Sequence, residues 1–282
     1  MKTIFYRFNL LILLTLFLSC SSDDDHNIYE DEQLQNMHLF YTVSASDYTL
    51  EVYSENKHLK TGYNKLAVTL RDKDNNENLE LSEINWKPVM HMHSMNHSAP
   101  YSELKKAENK DYYEGYIIFQ MPNHEDEKWF LEFDFELNGE AVEKTISLDV
   151  RPTNLVNTQS FEGTDGENYV VAYMEPQIPK VTTNDMQAAL FKMEDMMNFS
   201  VVEDFQIKID PRMPSMGNHG SPNNQDLVFD QQSQTYFGKL SLTMTGYWKI
   251  NLQIMNDQGE NIKGEEVTED HTESSLYFEI EF

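Results

Sequence analysis

The sequence predicts an all-β chain made of two tandem sandwich domains, and three observations carry that expectation. Apolar residues alternate with acids in short runs: Trp129, Leu131, Phe133, Phe135 and Leu137 interleave with Glu132, Asp134 and Glu136 before Asn138-Gly139, a strand entering a tight hairpin. No segment of the first half sustains a helical period. One Met/His-rich stretch occurs twice, and two copies of a motif in a chain of 282 residues suggest two copies of one domain.

In chain order, residues 1–19 carry Lys2 and Arg7, an apolar run over residues 10–18, and Ser19 before Cys20. This is the pattern of a secretion signal, too short for a membrane span of about 20 residues. Phe17-Leu18-Ser19-Cys20 resembles a bacterial lipobox, so Cys20 is expected to carry lipid. Residues 20–36 form an acidic tether. Its Ser21-Ser22-Asp23-Asp24-Asp25 resembles the export tag of lipoproteins sent to the outer cell surface. The expected address is therefore extracytoplasmic, lipid-anchored to a bacterial outer membrane. Cys20 is the only cysteine, so stability must come from packing rather than disulfides.

The first domain is placed at residues 37–152, with strands near residues 39–53, 62–70, 116–121, 129–137 and 142–150. Residues 72–77 give a dense turn signal. Residues 153–167 lack apolar periodicity and read as a linker. The second domain, 168–282, repeats the order: runs at 169–174, 186–193 and 205–209 lead into the second Met-rich stretch, and runs at 248–254 and 276–282 follow it. About seven short strands per copy, with turns every 8 to 12 residues or so, point to immunoglobulin-like sandwiches.

The formal net charge is −27, and loss of Lys2 and Arg7 with the signal leaves 19 basic against 48 acidic residues. Such a chain repels nucleic acid and attracts cations and basic partners. There is no Gly-x-Ser-x-Gly, no His-Glu-x-x-His and no Cys-x-x-Cys, so a non-enzymatic role is expected.

Six of the eight residues 90–97 are Met or His, against 24 in the whole chain. Thioether sulfur is a soft ligand, poor for Mg²⁺, Ca²⁺ or Zn²⁺, whereas Cu(I) accepts it together with imidazole. The candidate metal ligands are Met92, Met95, His97 and Met121, with His91 and His93 beside them, in the first copy. In the second they are Met213, Met216, His219 and Met244. Fully extended, Met92 and Met95 would stand about 10 Å apart, so a turn must bring them together. Three imidazoles in the first copy would extend its reach to Cu(II), either by joining the sulfurs or, if alternation turns His91 and His93 away, as a neighbouring weak site. The competing reading is that methionine fills core gaps. It suits Met121, Met244, Met193, Met196 and Met197 better than the four methionines set among Pro, Ser, Asn and Gly.

These residues resemble the YtkA/FixH-like family of small extracytoplasmic β-domains. The second copy carries Met213-Pro214-Ser215-Met216, His219, Tyr236-Phe237-Gly238, Met244 and Gly246-Tyr247-Trp248, with one extra residue before His219. The first carries Met92, Met95, His97, Tyr113-Glu114-Gly115, Met121 and Trp129, with His93 in place of Pro and an insertion over residues 122–128. The resemblance implies metal handling, with a copper-receiving or respiratory-assembly protein as partner. The expected function is Cu(I) buffering, tolerance or delivery. The alternative is a pair of surface modules that bind a protein or glycan, with methionine purely structural.

Overall fold

The computed structural model describes residues 34–81 and 83–282. The expected signal peptide, Cys20 and nearly all of the tether lie outside the described residues. In the first half the strands are β1 (His38–Ser44), β2 (Tyr48–Ser54), β3 (Leu59–Lys60), β4 (Gly62–Asp72), β5 (Ile84–His91), β6 (Asn96–Ser98), β7 (Lys105–Lys106), β8 (Tyr113–Phe119), β9 (Lys128–Leu137), β10 (Glu140–Leu148) and β11 (Val150–Arg151). They make two layers, β1-β2-β4-β8-β7 and β10-β9-β5-β6, while β11 pairs β3 in parallel. Alternation decides which side chains face inward. In β2 every second residue, from Tyr48 to Ser54, is buried, and in β9 the inward set is Trp129, Leu131, Phe133 and Phe135. Asn138 and Gly139, both at positive φ, make the tight turn between β9 and β10.

The second half contains β12 (Thr158–Glu162), β13 (Asn168–Glu175), β14 (Thr183–Met193), β15 (Phe199–Val201), β16 (Gln206–Met213), β17 (His219–Gly220), β18 (Gln225–Asp230), β19 (Thr235–Ser241), β20 (Tyr247–Met255), β21 (Asn261–Lys263) and β22 (Tyr277–Glu281). Its order β12-β13-β14-β19-β18 repeats β1-β2-β4-β8-β7, and β17, β16, β20 and β22 repeat β6, β5, β9 and β10. Here β18 pairs both β19 and β16, joining the two layers through a bulge between Gln225 and Val228. The chain is all-β, with sandwich layers around two separate apolar cores, one anchored by Trp129 and the other by Trp248.

Two expected boundaries differ. The tether was expected to run to residue 36, but Leu34 is already buried against Ala67, Ala107 and Tyr112. Its apolar side chain docks because the outer face of the first sheet offers it a hydrophobic seat. The expected linker, 153–167, contains strand β12, whose Phe161 is buried and stacks on Tyr169 with ring centroids 5.5 Å apart. One apolar residue in five gives no visible period, and β12 is an edge strand whose ladder to β13 holds it.

The preceding residues are tied to both halves. Asn157 donates from Nδ2 to the Thr61 carbonyl at 3.0 Å, and the Thr153 and Thr61 hydroxyls are bonded at 2.9 Å. Val156 donates its N–H to the Glu279 carboxylate at 2.9 Å and accepts the Glu279 N–H at 2.7 Å. A third apolar cluster then joins the halves face to face: Ile118, with Tyr63 and Tyr116, packs on Val170, Ala172, Met174, Ala189 and Phe191. Burial pushes Tyr116 up to about 12, and pushes Tyr63 up further with the help of Glu55 and Glu175.

Candidate metal site

The hairpin from β5 to β6 presents the first Met/His stretch at the end of the first sandwich. Met92 donates its N–H to the Met95 carbonyl at 3.1 Å, which supplies the turn that convergence requires. On one side the ladder pairs Met90 with His97 and His91 with Asn96; on the other it pairs Met90 with Trp129 and His91 with Lys128. Met90 is fully buried and Met92 packs on the same core. His91 lies instead against Phe130, with ring centroids 4.5 Å apart and the rings tilted, and is exposed, as is His93. Of the two arrangements expected for these imidazoles, the one with His91 turned away from the sulfurs is built. Successive strand residues point to opposite faces, and His91 takes the face away from His97, while His93 sits in the bend between the strands.

His97 is the unusual residue of this end. It is 7% exposed, and its ring meets the Trp129 indole edge-on at 5.0 Å. Its Nδ1 lies 2.9 Å from the Ser98 carbonyl oxygen. A carbonyl only accepts, so the neutral ring carries its proton on Nδ1 and its lone pair on Nε2. That Nε2 is buried and has no hydrogen-bond partner. Leaving such a group unpaired costs about 1–3 kcal/mol, so the arrangement calls for a ligand. A ring whose far nitrogen donates to a carbonyl is the usual second-sphere arrangement of a metal-binding histidine.

Three methionines belong to the elements and core next to His97. Met90 is its cross-strand neighbour, Met92 follows on the same face, and Met121 is held at the Trp129 indole, whose Nε1 donates to the Met121 carbonyl at 2.9 Å. Met95, 51% exposed, stands at the rim. Sequence reasoning counted Met90 in the Met/His stretch but did not name it as a ligand. The signal for it was parity, since Met90 and Met92 share a strand face. Among the described residues no group of three or more His, Cys, Asp or Glu is placed to hold a metal ion, so a metal here relies on sulfur with one imidazole.

The second copy is built differently. Met213 pairs with His219 and follows the pair Arg212 and Lys249, so its counterpart in the first ladder is Met90 and not Met92. The text of the two motifs aligns two residues away from the ladders, because hydrogen-bond register and not motif spelling fixes which side chains share a layer. Met213 is a core residue, Met244 packs half-buried on that core, and Pro214–Met216 forms a 3₁₀ turn closed by Gly217 in the left-handed region. Met216 is 57% exposed and His219 is exposed. No buried imidazole faces the sulfurs in this copy.

Much of the shared motif proves structural. Trp248 Nε1 donates to the Met244 carbonyl at 3.1 Å, as Trp129 does to Met121. Tyr113 donates its hydroxyl proton to the Leu81 carbonyl at 3.1 Å and accepts the Leu81 N–H at 2.8 Å, while Tyr236 donates to the Val202 carbonyl at 2.7 Å. Each tyrosine pins the loop that enters the metal-candidate strand. Each following glycine leaves room for a close neighbour: a Cβ on Gly115 would stand 2.7 Å from Trp86, and one on Gly238 would stand 2.5 Å from the Gln225 carbonyl oxygen.

No family model and no curated protein matches the sequence. Solved structures that match include the Escherichia coli adhesin FdeC, at 11% identity and TM-score 0.24, over 79% of this chain and 62% of the adhesin chain. A chimeric titin Z1Z2-Z1Z2 tandem matches at 11% identity and TM-score 0.21, over 79% of this chain and 93% of that one. The chain thus spans less than two thirds of the adhesin chain. The all-β class, with paired sandwich layers, rests on the strand pairings themselves.

Proposed function

We propose that the protein binds Cu(I) outside the cytoplasm, through one site in its first half, for buffering, tolerance or delivery to a receiving protein. The observation that carries this reading is the buried, unpartnered Nε2 of His97, a residue that pairs with Met90 across the ladder, while Met92 and Met121 pack on the same core as Met90 and Trp129. One imidazole with two or three thioethers is a soft, low-charge donor set that suits Cu(I) and serves Zn²⁺ or Mg²⁺ badly. Cu(I) would gain charge neutral ligands in an apolar wall, and the chain's own part is to fix the imidazole tautomer and keep water from the sulfurs. The YtkA/FixH-like resemblance and the lipobox at Cys20 support an extracytoplasmic, lipid-anchored setting for the same reading.

The test is a competition titration of the whole protein with Cu(I) and a coloured Cu(I) chelator under reducing conditions. One equivalent is expected to bind. His97→Phe should weaken it at least a hundredfold, whereas His219→Ala and His91→Ala should leave it unchanged. Equal loss from His219→Ala would contradict the single-site reading. Absence of Cu(I) binding would leave the alternative, a surface pair of modules for protein or glycan.

A further inference from the structure

We infer that the second half completes the copper site of the first, through a thioether at the tip of the hairpin between β14 and β15. This rests on the Cu(I) reading above and names a ligand that the motif does not contain. Ser98, the residue after His97 on edge strand β6, donates its N–H to the Met196 carbonyl at 2.9 Å. A backbone bond of that length places the Met196 Cα within about 8 Å of the His97 Cα, by ordinary bond lengths. A methionine sulfur reaches about 4 Å from its Cα, and a histidine Nε2 somewhat farther. One ion with ligand bonds of about 2.0–2.3 Å, the range for histidine nitrogen and sulfur on a soft metal, fits within that span.

The tip is shaped for this position. Asp195 accepts the Met197 N–H at 2.7 Å and the Asn198 Nδ2 at 2.8 and 3.0 Å, which folds the turn. Met196 is 46% exposed and Met197 half-buried. An exposed methionine at a folded tip, whose carbonyl is bonded by the residue after His97, has no core position to explain it. Because the tip belongs to β14, whose Phe191 and Ala189 lie in the seam with Ile118, the relative placement of the halves also sets how closed the site is.

The experiment uses the full chain and Cu(I) alone, with Met196→Leu, Met197→Leu and the double variant, since leucine keeps the volume and removes the sulfur. Affinity comes from the chelator competition, sulfur number from X-ray absorption at the copper edge, and fold integrity from the melting temperature of the metal-free protein. The expected result is an unchanged metal-free melt, an affinity at least tenfold weaker in the double variant, and one fewer sulfur at copper. One single variant should reproduce the loss and so name the ligand. Unchanged affinity and sulfur number in the double variant, with His97-dependent binding intact, would overturn this inference and leave the copper reading standing. Wild-type protein that binds no Cu(I) would overturn both.

Discussion

Truncating Ile118 to alanine tests the seam between the halves. Ile118 points outward from β8, away from the core of its own sandwich. If the halves were beads on a tether, it would face water, and its truncation would cost no more than about 0.5 kcal/mol. In the structure it is fully buried among Val170, Ala172, Met174, Ala189 and Phe191. Removing three carbons from such a site costs about 2–5 kcal/mol, with about 3 kcal/mol as the working value. For a single cooperative unit of this size, each kcal/mol lowers the melting temperature by about 2–4 °C, so the expected fall is about 6–12 °C. Scanning calorimetry gives the midpoint. Denaturant titration followed by tryptophan fluorescence asks whether Trp86 and Trp129 still unfold together with Trp248. The variant is expected to separate the transition into two. A fall below 2 °C with one coincident transition would refute the packed seam.

Tyr113→Phe and Tyr236→Phe remove the hydroxyls that pin the loops before β5 and β16, and each should cost about 1–2 kcal/mol, read as a lower urea midpoint at unchanged slope. Gly238→Ala drives a Cβ against the Gln225 and Asp226 carbonyl oxygens, 2.5 and 2.9 Å away, and should cost about 1–3 kcal/mol while loosening β18, seen as faster amide exchange there. Burial raises the pKa of Glu55, with Glu175 and Glu114 adding to it and Lys65 opposing. A raised carboxyl pKa means the folded chain holds the proton more tightly, so stability is gained as pH falls through the raised value and lost as pH climbs back through it. Glu55→Gln should therefore raise the melting temperature at pH 7.5, and the difference should vanish near pH 4; an equal gain at both pH values would contradict the assignment.

The sequence by itself determined the all-β class, the repeated Met/His stretches and the inward sets of the main strands, because a period of two is written directly in residues such as Trp129, Leu131, Phe133 and Phe135. It also determined that Asn138-Gly139 turns, since those residues accept positive φ. The candidate site was legible only in part. Composition marked the loop that bears Met92, Met95 and His97, but set His97 and His219 level as motif ligands, with His91 and His93 beside them. Tertiary structure separated them: the ladder turned His91 outward onto Phe130, left His219 in solvent and buried His97 against Trp129 with its Nε2 unpaired. Met90 entered beside His97 for the same reason, as a cross-strand partner seven positions away in sequence. β12, the Ile118 seam and the contact of Met196 with Ser98 belong wholly to the folded chain. Each depends on residues dozens of positions apart or on single apolar side chains, and a local pattern holds no record of which distant surface will cover them.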